Sequence, residues 1–335
     1  MKTSTKLFNS FINLILDLLF IQKGSWNREK AFFLISSLIL IPFNWIRGRR
    51  RLSRNVEVQY DQISGSYIQD NYYVDKERYC IVDGNVEFIS SIENMKNIRI
   101  ECNEVLSQLD FSTLLEVGVG ELTTIESVVA NNKQLTQIFG IDLSLNRMLH
   151  GMEEYKKRQK LIPKVSKANA TNLPFNDSVF DLVYSRHTLE QMPMIFTAAL
   201  DEMIRVSRRF IVLFEPSYEK GSLTQKLKMI RNDYFRGLDK FLSGREDIKV
   251  NKSFLMRNSA NPLNRTSCYV IEKISSASLE EEKYNGFVCP LSKEELIKRE
   301  GYLFCKKSGL AYPVLEGIPI LDKDYSFYID ASEVR

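Results

Sequence analysis

The residues best suited to chemistry lie in a glycine-containing segment near the middle of the chain, residues 114–124 (LLEVGVGELTT). An apolar run reaches Glu116 and is followed by Gly118 and Gly120, the pattern of a strand that turns tightly into a helix. Glycine leaves room for a ligand against the backbone, and ligands of open α/β sheets bind beside such turns. The turn alone fits a nucleotide loop, a nicotinamide loop or a plain turn. Leu122 replaces a third glycine, which counts against a pyrophosphate cradle.

A second acidic residue, Asp142, ends the next apolar run, residues 137–143 (QIFGIDL). An acidic residue at the end of the second strand is placed to bind both ribose hydroxyls. Ser144 follows it as the predicted N-cap of a helix that continues through Lys160. The two acidic positions, Glu116 and Asp142, are therefore one strand–helix–strand step apart.

Strand and helix patterns alternate through the rest of this region. We expect a third strand to end at residues 168–170, a fourth strand over 180–185, a helix over 196–207 and a fifth strand over 209–215. Residues 219–275 should add a last helix and an antiparallel hairpin. The alternation predicts an α/β fold with a doubly wound, mostly parallel, Rossmann-like sheet.

These features together resemble the class I S-adenosylmethionine-dependent methyltransferases, type 11-like, over roughly residues 56–275. The motifs that carry the resemblance are E-x-G-x-G at 116–120, the acidic Asp142, NATNLPF at 169–175 and FDLVYSRHTLEQMP at 180–193. The implied fold is the methyltransferase sheet, the implied cofactor is S-adenosyl-L-methionine, and the implied activity is methyl transfer.

The resemblance also implies the cofactor contacts. Glu116, Gly118 and Gly120 would contact the methionine moiety, near which Leu122 is expected to narrow the pocket. Asp142 would bind the ribose. Asn169 stands where the family usually has Asp bonding the adenine amino group, and its carbonyl can still accept that bond. The remaining expected cofactor contacts are Leu143 and Ala170.

The candidate catalytic group is a histidine. Of the two histidines, His150 belongs to the helix after Asp142 and is expected at the surface. His187 follows the fourth strand, near Arg186 and Glu190, where a general base or an acceptor-orienting group would lie. The alternative is that His187 lines the cofactor pocket or caps the next helix. Methyl transfer needs a base only when the acceptor must lose a proton.

Charge is unevenly distributed along the 335 residues. Residues 1–54 hold ten Lys and Arg against two acidic residues, whereas the remainder is net acidic. Nucleic acid is therefore not an expected partner of the body of the chain. Five scattered cysteines without paired spacing indicate a reducing compartment.

The basic N-terminal region is also apolar and predicts membrane association through residues 7–54. Residues 7–21 form an amphipathic pattern suited to lying on anionic lipid.

Residues 31–46 lack ionisable groups, but at about 1.5 Å per residue they cover roughly 24 Å, less than the ~30 Å hydrocarbon core. Pro42 should kink or end this helix, so entry into one leaflet fits at least as well as a full span. The positive cluster from Arg47 to Arg54 favours the cytoplasmic face of a membrane. Alternatively, both helices cap the catalytic domain of a cytoplasmic protein.

Three further regions complete the predicted domain organisation. Residues 55–110 form a surface helical cap with packed tyrosines, Tyr60 and Tyr67, and residues 111–275 form the methyltransferase core. After a linker at 276–286, residues 287–325 resemble a small, β-rich, zinc-ribbon-like domain that partners methyltransferases. The motif positions are Cys289-Pro290, Cys305, Tyr312-Pro313 and Gly317-Ile318-Pro319. Ser292 and Ser308 replace two of the four family ligands, so no metal is expected.

The sequence therefore predicts methyl transfer at the cytoplasmic face of a membrane, with O-methylation of a lipid-linked glycan or another lipid-like acceptor as the leading interpretation. Quinone-like lipids belong to the same class of acceptor. The alternatives are a methyltransferase of a soluble small molecule, tRNA or protein, and a methyltransferase-fold scaffold without turnover.

Overall fold

The computed structural model describes residues 2–46, 53–274 and 286–329. The predicted basic run at 47–51 and all but the last residue of the predicted linker at 276–286 lie outside the described residues. The helices are α1 Lys2–Leu18, α2 Trp26–Ile46, α3 Ser53–Gln62, α4 Ser66–Ile68, α5 Ser91–Leu106, α6 Thr123–Asn131, α7 Leu145–Arg158, α8 Phe196–Val206, α9 Leu223–Arg231 and α10 Leu238–Ser243.

The strands are β1 Glu77–Val82, β2 Asn85–Ser90, β3 Thr113–Val117, β4 Gln137–Asp142, β5 Lys164–Lys167, β6 Phe180–Arg186, β7 Ser207–Pro216, β8 Ile248–Leu255, β9 Thr266–Lys273, β10 Ile297–Arg299, β11 Tyr302–Cys305, β12 Leu310–Leu315, β13 Ile318–Pro319 and β14 Phe327–Tyr328. A π-helical turn, Gln69–Tyr73, follows α4, and 3-10 turns occur at Leu189–Gln191 and Lys323–Tyr325.

The central sheet has seven strands in the order β5-β4-β3-β6-β7-β9-β8. The first five are parallel, and β9 and β8 add an antiparallel hairpin at one edge. The five predicted parallel strands and the hairpin are confirmed, each within a few residues. The strand order reverses direction beside β3, which is the place where open α/β sheets bind their ligands.

Alternate side chains of the strands enter two separate apolar cores, one on each face of the sheet. Leu115 of β3 and Phe139 of β4 pack with α8 on one face. Leu114 and Ile138, their chain neighbours, pack with α5, α6 and α7 on the other. Parallel strands buried on both faces must be apolar along their whole length, which is why they are prominent in the sequence.

Residues 55–110 are not entirely helical, contrary to the sequence-based expectation. Between the π-helical turn and α5, strands β1 and β2 pair as an antiparallel hairpin. Its turn is Asp83-Gly84, both with positive φ of 46° and 87°. Asp-Gly is the residue pair that two-residue hairpin turns prefer, so the sequence did carry a signal for this hairpin.

Of the two N-terminal helices, α2 packs on the catalytic domain and α1 packs on α2. Ile12 and Leu16 of α1 are fully buried, and α2 lies against α9. The Arg231 guanidinium of α9 donates to Ser36 Oγ at 2.9 Å and lies 5.4 Å from the ring centre of Phe33. Helix α2 runs through Pro42 to Ile46, so this proline does not end it. In the described part of the chain, no helix is long and apolar enough to span a bilayer.

The C-terminal strands form a small module that extends the β5 edge of the central sheet. Leu321 donates from its backbone to Lys167 O at 2.8 Å, and Ser166 Oγ donates to Pro319 O at 2.9 Å. Phe287 packs against Phe139, with ring centres 5.5 Å apart. The module therefore covers a sheet edge that would otherwise expose unpaired backbone groups.

Candidate functional site

A cavity of about 370 Å³ opens at the carboxyl ends of the parallel strands, beside the point where the strand order reverses. Its floor is the loop between β3 and α6, and its walls come from the ends of β4, β5 and β6. The cap formed by α3 and α4 and the segment around α9 close the remaining sides. Such a volume lies within the range of roughly 300–1,000 Å³ that small-molecule sites occupy.

The glycine turn brings bare backbone to this cavity. Gly118 and Gly120 both have positive φ, 80° and 51°. A Cβ on Gly118 would overlap the side chain of Thr188, and one on Gly120 would contact the guanidinium of Arg147. Both positions therefore require glycine for two reasons, backbone conformation and space.

Asp142 lies at the end of β4 with its carboxylate tied to the turn. Its two oxygens accept from the backbone N–H groups of Gly120 and Ser144, each at 2.8 Å. Because each carboxylate oxygen has a second lone pair, Asp142 can still accept from ligand hydroxyls. Ser144 caps α7 as predicted, accepting from the N–H of Arg147 at 3.3 Å.

Glu116 is 2% exposed and lines the floor of the cavity. Burial raises its pKa to about 8, although a hydrogen bond from Tyr184 and the charge of Arg186 act in the opposite direction. Tyr184 Oη donates to Glu116 Oε2 at 2.7 Å. This carboxyl group is therefore largely protonated near neutral pH.

Two residues that sequence reasoning missed fix the cap over the cavity. Glu121 accepts from the backbone N–H groups of Gly65 at 3.0 Å and Ile68 at 2.7 Å. The Arg147 guanidinium lies 4.9 Å and 4.5 Å from the ring centres of Tyr60 and Tyr67. The two tyrosines therefore line the cavity, while Tyr67 stays 41% exposed, so the expected surface cap with packed tyrosines also borders the cavity. The position of Arg147 in the first turn of α7, directly after Asp142, was the available signal.

The other expected cofactor contacts divide into two groups. Leu143 and Ala170 line the cavity. Asn169 is not among the residues that line it, because its Oδ1 accepts from the backbone and hydroxyl of Thr171, at 3.0 and 2.9 Å. Leu122 is fully buried in the apolar core below the turn and is also absent from the lining, so it does not narrow the pocket as expected.

His187 lies at the cavity wall just after β6, with a positive φ of 51°. Its Nε2 is 2.8 Å from Thr266 Oγ1, and its Nδ1 is 3.4 Å from Glu190 Oε2. Because both ring nitrogens face protein partners, one contact must break before His187 can take a proton from an acceptor. The geometry favours a positioning role. His150, in contrast, lies on α7 with Nδ1 2.7 Å from Ser64 Oγ, and its contacts are exposed.

A second buried carboxylate supports this wall from behind. Glu215 accepts from Ser185 Oγ at 2.9 Å and from the backbone N–H of Thr188 at 2.9 Å. Burial raises its pKa to about 7. Glu215 thus holds the segment that begins at His187 in place and does not itself line the cavity.

S-adenosyl-L-methionine fits the residues present. The glycine backbone leaves space beside the floor, and Asp142 retains acceptor capacity for hydroxyls. The Arg186 side chain has a buried Nε–H without a hydrogen-bond partner among the described residues, whereas Arg147 Nε lies 3.6 Å from Glu121 Oε1 in an ion pair. Buried donors of this kind are normally satisfied, so a ligand with acceptor atoms suits the cavity.

The C-terminal module holds the two cysteines in a hydrogen-bonded cluster. Cys289 Sγ lies 3.6 Å from Ser308 Oγ and 3.4 Å from Tyr312 Oη, and Ser292 Oγ lies 3.2 Å from Cys305 Sγ. Although burial opposes the thiolate, hydrogen bonds from Ser292 and Tyr312 lower the pKa of Cys289 to about 7. Within the described residues there is no group of three or more His, Cys, Asp or Glu that could hold a metal ion.

Comparison with known proteins identifies the central domain. Residues 115–210 match the sequence profile of the family described as "Methyltransferase domain". The chain is 37% identical over 70 residues to demethylmenaquinone methyltransferase from Geobacillus sp. (strain WCH70), covering 21% of this chain and 30% of that protein. Less than a third of this relative is thus spanned. The match supports a class I methyltransferase domain whose cofactor is S-adenosyl-L-methionine.

The chain is also similar to a small protein over a short segment and to a solved methyltransferase structure over most of its length. A 43-residue segment is 46% identical to the UPF0434 protein of Vesicomyosocius okutanii subsp. Calyptogena okutanii (strain HA), covering 13% of this chain and 73% of that protein. Over that segment the chain belongs to the UPF0434 family. Magnesium protoporphyrin IX methyltransferase from Synechocystis PCC 6803, solved with bound SAH, is similar with a TM-score of 0.47 and 12% identity, covering 64% of this chain and 98% of that one.

Proposed function

We propose that this chain, whose central domain is a class I methyltransferase domain, transfers a methyl group to a lipid-like acceptor at the cytoplasmic face of a membrane. When bound, S-adenosyl-L-methionine supplies the electrophilic methyl group. The protein's contribution is to orient the acceptor for in-line displacement, which can account for most of the acceleration of such a reaction.

The cofactor half of the cavity supports the transfer reaction. Asp142 is oriented by two backbone N–H groups and would hold the ribose hydroxyls. The Glu116 carboxyl, at the end of β3, would face the methionine moiety. Glu121 and Arg147 fix the cap of α3 and α4 over the cavity, which excludes water from the bound cofactor.

The observation that carries the membrane proposal is an apolar stripe on the outer side of α1. Its members recur at helical spacing and are 57–72% exposed: Leu7, Phe11, Leu14 and Leu18. Leu19 and Phe20, directly after the helix, are 59% and 96% exposed. Exposed Lys6, Lys23 and Lys30 lie on the same two-helix unit. An apolar helix face with flanking lysines is suited to the interface of an anionic membrane.

The same unit is connected to the cavity. Helix α2 packs on α9 through Arg231 and Ser36, and Lys228 of α9 lines the cavity. A lipid whose tail stays in the membrane could therefore present its head group to this side of the domain. The relative from Geobacillus is named for demethylmenaquinone, a lipid-like acceptor, which supports this class. Lipid-linked glycans belong to the same proposal.

Vesicle sedimentation tests the membrane part. The full chain should sediment with vesicles containing phosphatidylglycerol and remain largely in the supernatant with purely zwitterionic vesicles. The double substitution Phe11→Ser and Leu14→Ser should lower the partition coefficient of the chain between anionic vesicles and solution at least ten-fold. Burying each of these side chains contributes about 1.5–3 kcal/mol. Leu315→Ser, an equally apolar exposed position in the C-terminal module, is the control. Equal sedimentation of both variants would contradict the membrane proposal.

Methyl transfer is tested separately with radiolabelled S-adenosyl-L-methionine and a bacterial lipid extract. We expect label in the organic phase with the wild-type chain and none with Asp142→Ala. Label confined to water-soluble material would support the soluble-substrate alternative. Cofactor binding without transfer to lipid, small molecules, tRNA or protein would support the scaffold alternative.

A further inference from the structure

The half of the cavity away from the glycine turn contains three polar groups whose bonding capacity is not used by the protein. They are the carbonyl oxygens of Gln191 and Asn264 and the ammonium group of Lys228. The three residues come from the 3-10 turn after β6, the loop before β9 and helix α9. All three line the cavity, and nothing in the proposed cofactor contacts uses them.

Glu190 fixes the orientation of the two amide groups. Asn264 Nδ2 donates to Glu190 Oε2 at 2.9 Å, and Gln191 Nε2 donates to Glu190 Oε1 at 3.1 Å. An ionised carboxylate only accepts hydrogen bonds, so each amide must turn its NH₂ group toward Glu190. The carbonyl oxygens are then left facing away from it.

These two carbonyl oxygens are unpaired among the described residues and have almost no exposed surface. Gln191 is 7% exposed and Asn264 is 8% exposed. A buried acceptor without a donor costs about 1–3 kcal/mol, and both residues line the same cavity. A ligand that reaches these oxygens, through a small movement of the two side chains, must therefore bring O–H or N–H donors.

Lys228 adds a positive charge to the same half. Among the described residues its ammonium has no hydrogen bond or ion pair, and the residue is half-buried. Burial lowers its pKa, with Glu190 acting in the opposite direction at longer range. A desolvated ammonium group is best satisfied by an oxygen that carries negative charge.

The apolar neighbours limit the shape of the ligand. Tyr60, Met95, Met192 and Tyr234 also line the cavity. Aromatic rings and thioethers pack well against a flat ring. The cluster lies close to the glycine turn, because Thr188, three residues before Gln191, packs directly on Gly118.

We infer that Lys228, Gln191 and Asn264 form the acceptor subsite, and that it takes an aromatic head group with two neighbouring hydroxyls, one of them bound as the oxyanion. The free hydroxyl donates to the amide carbonyls, and the oxyanion faces Lys228. Sugar hydroxyls are far less acidic and leave the ammonium unsatisfied, so the subsite favours a phenolic head group over a neutral glycan. This inference rests on the proposed function and specifies its acceptor.

The probe is 4-nitrocatechol, titrated into the full-length chain with and without S-adenosylhomocysteine. Its visible absorption distinguishes the ionised from the protonated form, and the titration is made at a pH where the free probe is mainly protonated. We expect saturable binding with the absorption of the ionised form. The controls are 1,2-dimethoxy-4-nitrobenzene, which has no donors, and methyl α-mannopyranoside, which has neighbouring but weakly acidic hydroxyls. Neither should compete with the probe.

The variants separate the charge from the amide groups. Lys228→Met should weaken probe binding by about ten-fold or more, equivalent to about 1.4 kcal/mol, and shift the bound probe to the protonated form. Lys226→Met, on the same helix but outside the cavity lining, should bind like the wild type. Gln191→Met and Asn264→Leu should weaken binding several-fold without changing the ionised absorption.

Calorimetric titration with S-adenosylhomocysteine makes the two proposals separable. All four variants should keep its affinity, which also reports that they are folded. Binding of S-adenosylhomocysteine without 4-nitrocatechol binding, or equal probe affinity in Lys228→Met and wild type, would overturn the acceptor subsite alone. Competition by the mannoside would overturn its phenolic specificity. Loss of S-adenosylhomocysteine binding in the wild type would instead overturn the proposed function.

Discussion

The cofactor half and the acceptor half of the cavity each contain a buried glutamate, but the two carboxyl groups are in opposite states. Around Glu116, burial dominates and raises the pKa to about 8. Burial also acts on Glu190, but His187, Asn264 and Gln191 outweigh it and hold the pKa below its usual value. The cofactor half thus contains a protonated carboxyl and the acceptor half an ionised one.

The two halves also differ in how the chain builds them. The cofactor half comes from consecutive strand ends, with backbone N–H groups holding Asp142. The acceptor half combines side chains separated by more than thirty residues, organised by the charge of Glu190. Backbone geometry therefore determines the first half, whereas a single carboxylate determines the second, and substitutions should affect them separately.

The largest expected effect is at Gly118. In Gly118→Ala, the added Cβ must occupy a positive-φ position and displace Thr188. Left-handed conformation costs about 1–2 kcal/mol and overpacking about 1–3 kcal/mol. We expect S-adenosylhomocysteine affinity, measured by calorimetry, to fall by about 100-fold, which corresponds to about 2.7 kcal/mol.

Gly237→Ala is the matched control for backbone strain. Gly237 also has a positive φ, 90°, but a Cβ there would meet no atom within 4 Å. This variant should lose about 1–2 kcal/mol of stability and keep the cofactor affinity of the wild type. If both glycine variants lost cofactor equally, contact with Thr188 would not be the cause.

Glu190→Gln should affect the acceptor half instead. The neutral amide no longer forces Gln191 and Asn264 to turn their carbonyl oxygens away from residue 190, and it removes the charged partner of His187 Nδ1. We expect 4-nitrocatechol affinity and methyl transfer to fall by about ten-fold, as loss of one hydrogen bond to a charged group costs about 1.5–3 kcal/mol. S-adenosylhomocysteine affinity should stay within about two-fold, well below the ten-fold that 1.4 kcal/mol produces.

Glu202→Gln provides the comparison for loss of a partly buried ion pair. Glu202 pairs with Arg205 at 2.6 Å and does not line the cavity. Its substitution should lower the unfolding midpoint without changing either ligand affinity. Equal loss of cofactor and acceptor binding in Glu190→Gln would mean that the two halves are not separable.

Sequence patterns predicted the cofactor half because its parts are local. Each parallel strand is an apolar run, and Glu116, Gly118 and Asp142 follow such runs directly. Asn169 shows the limit of this approach. Its oxygen is taken by Thr171, because short polar side chains readily bond to nearby backbone groups.

The acceptor half could not be predicted in the same way. The sequence places Glu190 close to His187, but Lys228 belongs to an amphipathic helix whose lysines are ordinarily solvated. Asn264 lies in a loop without a motif. Their convergence depends on how α9 and the β8–β9 hairpin pack against the sheet, and the cavity contacts of Tyr60 and Tyr67 likewise depend on distant parts of the chain. Tertiary packing decides these positions.

Protonation of Glu116 predicts how stability depends on pH. The pKa is about 8 in the folded chain and about 4.3 in an unfolded one. Between about pH 5 and 8 the folded state therefore holds a proton that the unfolded state has released, so the free energy of unfolding falls as pH rises, by up to about 1.4 kcal/mol per pH unit. Glu215, with a pKa of about 7, acts in the same direction.

Urea unfolding at pH 5, 6, 7 and 8 measures this dependence. Glu116→Gln should flatten the decline, leaving the part due to Glu215. Glu272→Gln, on β9, whose carboxyl is ionised because a hydrogen bond from Asn251 lowers its pKa, should leave the slope over this interval unchanged. A wild-type stability that rises from pH 5 to 8 would contradict a protonated Glu116.

The smallest expected effect concerns the link between the N-terminal helices and the acceptor half. Arg231→Met removes the hydrogen bond to Ser36 and the contact over Phe33, which together should lower stability by about 1–2 kcal/mol. Since α9 also carries Lys228, 4-nitrocatechol affinity should fall two- to three-fold, equivalent to about 0.4–0.7 kcal/mol. Cofactor affinity should not change, because in the described residues no hydrogen bond or ion pair joins Asp142 or the glycine turn to α9. Arg245→Met, which removes largely exposed ion pairs to Asp201 and Asp247, should cost less than about 1 kcal/mol and leave both affinities unchanged. If Arg231→Met weakened cofactor and probe equally, α2 would stabilise the whole cavity, and the membrane-associated helices would have no selective connection to the acceptor.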